Sequence, residues 1–175
     1  SISIFKDGIR RYIISAVDIK TRFSFSYGYK SLTSLNAKDF MEKLQKVFPF
    51  PVKRVQTDNR SEFESYLRKY LEDQNIIHYF NFPKHPQQNC YVERFNRTLQ
   101  EQFIFWNEEL LENIPQFNSK LMNYLLWFNT QKPHYSLNKF SPLDFFLLSS
   151  PSPFYPSSQK TKQYQSNMYR YSTKT

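Results

Sequence analysis

The sequence predicts a single α/β domain in which a mixed β-sheet is flanked by helices. Two observations support this fold class. Three short runs of β-branched and aromatic residues open the chain, and helical and strand patterns then alternate, as they do in domains that cover a sheet with helices. In addition, 39% of the 175 residues are hydrophobic and 19% are aromatic, which is enough for one sizeable core.

The first three strands are predicted to form an antiparallel meander. Their segments are "ISIF" (2 to 5), "RYIISAV" (11 to 17) and "RFSFSYGY" (22 to 29). Asp7-Gly8 stands between the first two, and this dipeptide is typical of a tight hairpin turn. We therefore expect strands that are neighbours in the sequence to be neighbours in the sheet.

A first helix is predicted over residues 34 to 48, and a fourth strand, "VKRVQT" (52 to 57), follows it. The helix is expected to end before Pro49, because proline cannot continue it. Its apolar stripe is assigned to four residues near helical spacing: Leu35, Phe40, Leu44 and Val47.

A second helix is predicted over residues 61 to 75, and "IIHYF" (76 to 80) is predicted to be the fifth strand. Ser61 is available as the N-cap of this helix, with Glu64 three positions on as its capping-box partner. The apolar side chains of the helix recur every four residues: Phe63, Leu67 and Leu71.

Two more helices are predicted, from Gln88 to about Phe105 and from about Ile114 to Phe128. Trp106 and Trp127 are expected in the core rather than as platforms on which nucleic-acid bases stack. The folded core is assigned to residues 1 to 148. Residues 149 to 175 are rich in Pro, Ser, Gln and Lys without periodicity, and we expect this basic tail to be loosely ordered.

Composition narrows the class of function. The formal net charge of +9 suggests an anionic partner such as nucleic acid. No apolar run is long enough to cross a bilayer, so no membrane partner is expected. The single cysteine, Cys90, excludes an internal disulfide and a cysteine-based zinc site, which favours a cytoplasmic setting, at the nucleoid if the host is bacterial. The start, "SISIFKDG", lacks an initiator Met, and we expect a longer natural chain.

Two carboxylates attract attention because of their positions in the predicted elements. Asp58 falls at the end of the fourth strand, where α/β sheets present side chains to ligands. Glu93 falls early in a helix after a long polar loop, with Arg97 four residues further on the same face. Taken alone, Glu93 and Arg97 are better explained as an exposed helical ion pair with a structural role.

Three segments together resemble the catalytic core of retroviral integrases and related insertion-sequence transposases of mobile elements. They are "TDN" with "SEF" (57 to 63), "HPQQNCYVERFNRTL" (85 to 99) and "WFNTQKPHYSLNKFSPLDF" (127 to 145). The resemblance covers most of residues 1 to 148. It implies a ribonuclease-H-like fold and an Asp-Asp-Glu site whose last two members are Asp58 and Glu93.

The resemblance also implies the chemistry of the site. Asp58 and Glu93 would be catalytic residues that bind a pair of Mg²⁺ or Mn²⁺ ions, hard cations that prefer carboxylate oxygens. The reaction would be DNA cleavage and strand transfer, with element ends and target DNA as partners. Five residues near the two carboxylates would contact DNA: Asn59, Arg60, Arg94, Asn96 and Arg97. Such proteins act as multimers, so we expect a homo-oligomer.

The sequence departs from the family pattern in two glycines and in the first aspartate. Arg60 and Cys90 stand where glycine is usual, and this favours either a lineage with compensated turns or a decayed copy. The first metal-binding Asp is expected immediately before Ser1. Asp18 ends the second strand and is interpreted as a structural turn cap, although it remains the alternative third ligand.

Two other functions remain open from the sequence. The chain could be a catalytically inactive DNA-binding remnant, which the lost glycines would suit. It could also be a ribonuclease-H-fold nuclease that hydrolyses DNA without joining it. Joined strands, cut ends or metal-independent DNA binding would distinguish the three.

Overall fold

A computed structural model describes residues 1–58, 63, 65–80 and 89–149. Within them the chain forms a mixed α/β fold with the five strands that the sequence predicts and five α-helices, one more than predicted. The strands are β1 (Ile2–Lys6), β2 (Ile9–Val17), β3 (Ser24–Tyr29), β4 (Arg54–Thr57) and β5 (Ile77–Phe80). The helices are α1 (Ser34–Val47), α2 (Tyr66–Asp73), α3 (Cys90–Leu99), α4 (Ile114–Thr130) and α5 (Pro142–Ser149).

Strands β1, β2 and β3 form the predicted antiparallel meander. Ile2 of β1 pairs with Ile13 of β2, and Ile13 also pairs with Gly28 of β3. The first hairpin closes at Asp7 and Gly8, whose φ angles are 50° and 76°. Two consecutive positive φ angles are typical of the type I′ turn, which matches the twist of the flanking strands.

Strands β4 and β5 are parallel and are joined through helix α2. Arg54 pairs with Ile77, and Thr57 pairs with Phe80. Among the described residues, hydrogen bonding thus divides the five strands into an antiparallel group of three and a parallel group of two. Both kinds of pairing expected of a mixed sheet are present.

Helix α1 packs against the core with a different set of side chains from the predicted apolar stripe. Phe40 and Leu44 are buried, but Leu35 and Val47 are 57% and 42% exposed. The buried partners are instead Ala37 and Met41, at the i, i+3, i+4 and i+7 spacing of one helical face. Thr33 caps the helix, because its side chain accepts a hydrogen bond from the backbone of Asn36.

Helix α2 confirms the predicted apolar stripe of its segment. Leu67 and Leu71 are fully buried, and Phe63 packs into the same core. The described helix begins at Tyr66 and ends at Asp73. The predicted capping box of Ser61 and Glu64 lies outside the described residues.

The segment after α3 is less regular than the single helix predicted to about Phe105. Residues Gln100–Ile104 form a π-helix and Phe105–Glu112 form a 3₁₀ segment with a kink at Asn107. Phe95, Leu99 and Phe103 are nevertheless all buried. The extra residue in the π turn rotates the following side chains relative to an α-helix.

Helix α4 matches its predicted span, but the two tryptophans near it were assigned wrongly. Trp106 is 70% exposed and Trp127 is 41% exposed, whereas Phe117 and Leu121 on α4 form the centre of the core. Helix α5, which the sequence analysis did not predict, ends the described chain at Ser149. The predicted loose tail lies almost entirely beyond it, outside the described residues. Within the described part, no helix is both long and apolar enough to span a bilayer.

Candidate active-site cleft

A cleft of about 820 Å³ opens between strands β2 and β4. One part of its wall is apolar and comes from helix α1, chiefly Phe40, Met41 and Leu44. Another part is polar and carries three carboxylate side chains, those of Asp18, Asp58 and Glu93. Such a combination of apolar wall and a few polar groups is typical of a functional site.

The register of the strands explains why a cleft forms there. Strand β1 covers β2 only as far as Ile13, so residues 14 to 17 of β2 pair with β3 alone among the described residues. Strand β4 likewise pairs only with β5 in the described part of the chain. The cleft therefore lies between two strand edges, and Ser1 lies on its wall.

Asp58 enters the cleft because strand β4 ends directly before it. Its side chain is half-buried. The preceding residue, Thr57, is joined to β5 by its Oγ1, which lies 2.9 Å from Nε2 of His78. Burial, with a smaller effect of Arg68, lowers the pKa of His78 and favours the neutral ring. This link and the parallel pairing fix the strand end that presents Asp58.

Glu93 enters the cleft from the first turn of helix α3. The opposite side of the helix is anchored in the core by Phe95 and Leu99, which are 4% and 0% exposed. Glu93 itself is exposed. Its position near the helix N-terminus is favourable for a negative charge. The structure thus brings Asp58 and Glu93 to one cleft, although 34 residues separate them in the sequence.

Asp18 also lies in the cleft wall, but its carboxylate is engaged in a turn. Its Oδ2 accepts hydrogen bonds from the backbone and the hydroxyl of Thr21, both at 2.7 Å, and from the backbone of Lys20 at 3.2 Å. These contacts agree with the interpretation of Asp18 as a turn cap.

The predicted DNA-contacting residues fall into three groups. Asn59 and Arg60 lie outside the described residues. Asn96 is half-buried and lies in the cleft wall. Arg94 and Arg97 are exposed on α3 beside the cleft rather than in its wall. Neither of these two arginines is therefore shielded from a large anionic ligand.

Several residues of the cleft were missed by the sequence analysis. Lys53 and Arg54 place two positive charges in its wall at the start of β4, and Tyr79 and Tyr91 contribute aromatic rings. The "KR" pair within the predicted fourth strand was a visible signal for the first two. The tyrosines carried no such signal, because their position depends on contacts between distant segments.

The donor chemistry of the cleft suits a hard divalent cation. Carboxylate oxygens from Asp58 and Glu93 are the ligands that Mg²⁺ and Mn²⁺ prefer. No group of three or more His, Cys, Asp or Glu side chains in the described ranges is arranged to hold a metal ion. The two carboxylates therefore fit such an ion as part of a ligand set, not as a complete one.

Comparison with known proteins points to one family. Residues 74–142 match the family model of the integrase core domain. The protein named "Putative integrase ORF3" of Spiroplasma virus SpV1-C74 is 31% identical over 151 residues. That alignment covers 77% of this chain but 41% of the viral protein, so the chain spans less than half the length of this curated relative.

Solved structures show the same fold. A chain of the simian T-cell lymphotropic virus intasome complex with the PP2A regulatory subunit B56 gamma aligns with a TM-score of 0.70 at 17% identity, over 89% of this chain and 54% of that chain. The HTLV-2 integrase catalytic core domain, solved with magnesium in a trimeric form, aligns with a TM-score of 0.63, also at 17% identity, over 82% of this chain and 90% of that domain. The fold is therefore the ribonuclease-H-like fold of integrase cores.

Proposed function

Because the chain carries an integrase-like catalytic core, we propose that it is a DNA integrase or transposase that cleaves DNA and transfers strands. One observation supports this proposal most directly. Asp58 at the end of β4 and Glu93 at the start of α3 line the same cleft. Two carboxylates that converge from separate elements in this way are suited to phosphoryl transfer assisted by metal ions.

Asp58 and Glu93 would hold Mg²⁺ or Mn²⁺ in a two-metal site. When bound, such ions supply charge neutralisation at the attacking and leaving oxygens of the phosphodiester. The protein's own contribution is to keep the two carboxylates in place: β4 and its Thr57–His78 contact fix Asp58, and the buried face of α3 fixes Glu93.

The third carboxylate of the site has two candidate sources. The first is an Asp immediately before Ser1, because Ser1 lies in the cleft wall and antiparallel extension of β1 would set the preceding residue beside Ser15. The second is Asp18, which is already bonded to its own turn. The first is favoured because metal binding by Asp18 would compete with those hydrogen bonds.

DNA is the proposed partner, both as element ends and as target. Arg94 and Arg97 on the exposed face of α3, and Lys53 and Arg54 in the cleft wall, surround the carboxylates with positive charge. Positive side chains of this kind position the DNA through its phosphates. Asn96 would contact DNA from within the cleft, and Asn59 and Arg60 are proposed as contacts from sequence alone. A cytoplasmic, nucleoid-associated location in a bacterial host would suit this partner.

The protein is proposed to act as a homo-oligomer. The HTLV-2 core is described in a trimeric form. This chain exposes a cluster of aromatic side chains: Trp106 and Trp127 line one shallow cleft, and the ring of Phe105 packs edge-on against Trp106. Exposed tryptophans are enriched at protein interfaces, and a second copy of the chain is the proposed occupant of this aromatic cluster.

The test of the function is a cleavage and strand-transfer assay on the intact protein with Mg²⁺ or Mn²⁺. Asp58→Asn and Glu93→Gln should each abolish metal-dependent cleavage and joining without unfolding the protein. Glu112→Gln, which removes an exposed carboxylate at the end of the 3₁₀ segment and outside the cleft wall, is the matched control and should retain activity. Cleavage that survives in Glu93→Gln would contradict the assignment.

The products of the same assay separate the two alternative functions. Cut ends that are never joined would favour a nuclease of the same fold. Salt-sensitive DNA binding that is indifferent to metal and to Glu93→Gln would favour a non-catalytic DNA-binding protein.

A further inference from the structure

A cation–π contact joins the turn between β2 and β3 to the first turn of helix α3. The guanidinium carbon of Arg22 lies 3.8 Å from the centroid of the Tyr91 ring. This is well within the distance of a cation–π interaction. Tyr91 lies in the cleft wall and precedes Glu93 by two residues. The contact therefore joins a segment outside the helix to the turn that carries Glu93.

The turn that presents Arg22 is held in place by hydrogen bonds from both sides. The backbone N–H of Arg22 donates to the carbonyl of Asp18 at 2.9 Å, and its own carbonyl accepts from Oγ of Ser24 at 2.9 Å. The guanidinium also donates to the carbonyl of Ile19. Arg22 is thus fixed at its backbone and along its side chain before it reaches Tyr91.

The carboxylate of Asp18 closes the same turn. Its three hydrogen bonds to Lys20 and Thr21 shape the backbone between β2 and Arg22. Arg22 has a φ of 62°, in the left-handed region that non-glycine residues seldom adopt. A non-glycine residue keeps such a conformation where its surroundings hold it there. The hydrogen-bonded turn provides that support.

We infer that Arg22 is a positioning residue for Glu93, which acts by holding the Tyr91 ring and with it the first turn of α3. Asp18 stabilises the turn that carries Arg22, so its effect on the position of Glu93 is indirect. This inference rests on the proposed function for its catalytic meaning. The physical claim, that the β2–β3 turn restrains the start of α3, stands on the contacts alone.

The contact is well placed for this role because the buried residues of α3 lie beyond its first turn. Phe95 and Leu99 anchor the middle and the end of the helix in the core. Tyr91 is 36% exposed, so core packing holds the first turn less tightly. A stacked guanidinium on one face of the ring restricts the rotation and fraying of that turn.

The test is amide hydrogen exchange on the intact protein, with substitutions on both sides of the contact. Arg22→Gln and Tyr91→Leu should each accelerate exchange of the amides of residues 94 to 97, which bond to carbonyls of the first turn. The expected factor is about three- to thirtyfold, as for the loss of one partly buried cation–π contact. The double variant should exchange no faster than either single one. Tyr91→Phe keeps the ring and should exchange like the parent.

A matched control is available in the first hairpin. The guanidinium of Arg10 lies 5.7 Å from the centroid of the Phe5 ring, away from the cleft. Arg10→Gln removes the same charge and an analogous contact, and it should leave exchange in α3 unchanged. Equal exchange in the parent, Arg22→Gln and Tyr91→Leu would overturn the inference, as would an equal acceleration by Arg10→Gln.

Kinetics separate positioning from a general loss of stability. In the strand-transfer assay, Arg22→Gln and Tyr91→Leu should lower kcat with little change in KM, and Tyr91→Phe should restore the parent rate. If the parent protein proves inactive, the proposed function fails, but exchange in α3 still decides whether the contact restrains the helix.

Discussion

Asn118 of helix α4 forms two side-chain hydrogen bonds with the backbone of Gly28 in strand β3. The backbone N–H of Gly28 donates to Oδ1 of Asn118 at 2.7 Å, and Nδ2 of Asn118 donates to the carbonyl of Gly28 at 3.0 Å. Asn129, three turns further along α4, makes the same pair of bonds with Ser24, at 2.9 and 2.8 Å. Two buried amides thus pair with the backbone of Gly28 and Ser24 on the outer edge of β3, which has no neighbouring strand on that side among the described residues.

Replacing Asn118 by Ala should destabilise the fold strongly. Asn118 is 4% exposed, so its loss leaves the N–H and the carbonyl of Gly28 buried without these partners. Each such group costs about 1 to 3 kcal/mol, and we expect the free energy of unfolding to fall by about 2 to 4 kcal/mol. Urea denaturation of the intact protein measures this change.

Asn123→Ala is the matched control for that experiment. Asn123 lies on the same helix but is exposed, so its removal should change the free energy of unfolding by less than about 0.5 kcal/mol. Similar losses for both asparagines would mean that helix propensity, not the pairing with β3, is the cause.

Gly28→Ala should weaken the same contact from the strand side. A Cβ at this position would lie 3.1 Å from Oδ1 of Asn118 and 3.2 Å from Cδ1 of Phe117. Because Phe117 is fully buried, neither neighbour can move freely, and we expect a loss of about 1 to 3 kcal/mol in unfolding free energy. In an Asn118→Ala background the loss should be smaller, since one of the crowding atoms is gone. Additive losses in this cycle would contradict the explanation.

Local sequence patterns predicted the elements of the fold well, because their causes are local. The Asp7-Gly8 turn, the stripe of α2 and the span of α4 follow from turn chemistry and helical spacing. The pairing of Asn118 with Gly28 could not be predicted in this way. The two residues lie 90 positions apart, and a buried asparagine in a helix has no local signature.

In the candidate site, too, features with a local cause could be predicted and contacts between distant segments could not. Asp58 and Glu93 were selected because they fall at the ends of predicted elements, and in the structure both line one cleft. The cation–π contact of Arg22 with Tyr91 depends on how the β2–β3 turn meets α3, which no spacing in the sequence reveals. The π-helix at Gln100–Ile104 was missed because its side chains keep an apparent α-helical period.

Acidification should destabilise the protein through two half-buried histidines. Burial lowers the pKa of His78 and of His134. Arg68 lowers the pKa of His78 further. For His134, the hydrogen bond with the carbonyl of Phe128 opposes the effect of burial, and Lys132 and Arg22 add to the lowering of the pKa. The unfolded chain therefore binds protons first as the pH falls below about 6.5, and the stability present above that pH is lost. Urea denaturation between pH 7.5 and 5, a range set by the usual histidine pKa of about 6.5, should show this decline.

Substituting the histidines tests the source of this decline. His134→Gln and His78→Gln should each flatten the pH dependence, and the double variant should flatten it most. His134→Gln will also cost stability at neutral pH, because the imidazole ring packs edge-on against Phe128. The slope with pH, rather than the absolute stability, is thus the decisive quantity. An unchanged slope in the double variant would assign the decline to carboxylates.

The salt dependence of DNA binding should reveal whether Arg97 contacts a DNA phosphate. Arg97 is exposed near the end of α3, one turn beyond Glu93. Arg97→Gln should weaken DNA binding to all sequences alike and reduce the slope of log K against log salt by about one. Arg68→Gln is the control, because Arg68 already pairs with Glu72 at 3.1 Å on α2. A slope that is the same for Arg97→Gln and the parent would remove Arg97 from the interface.

Self-association should depend on the aromatic cluster around Trp106. Its side chain is 70% exposed and borders a shallow cleft of about 650 Å³ with Tyr124 and Trp127. If a second copy covers this cleft, Trp106→Ser should weaken self-association about thirtyfold, as expected for the loss of one interface tryptophan worth about 2 kcal/mol. Phe5→Ser removes an equally exposed ring, 67%, from the hairpin and should leave association unchanged. Sedimentation equilibrium measures both, and equal dissociation constants for parent and Trp106→Ser would move the interface elsewhere.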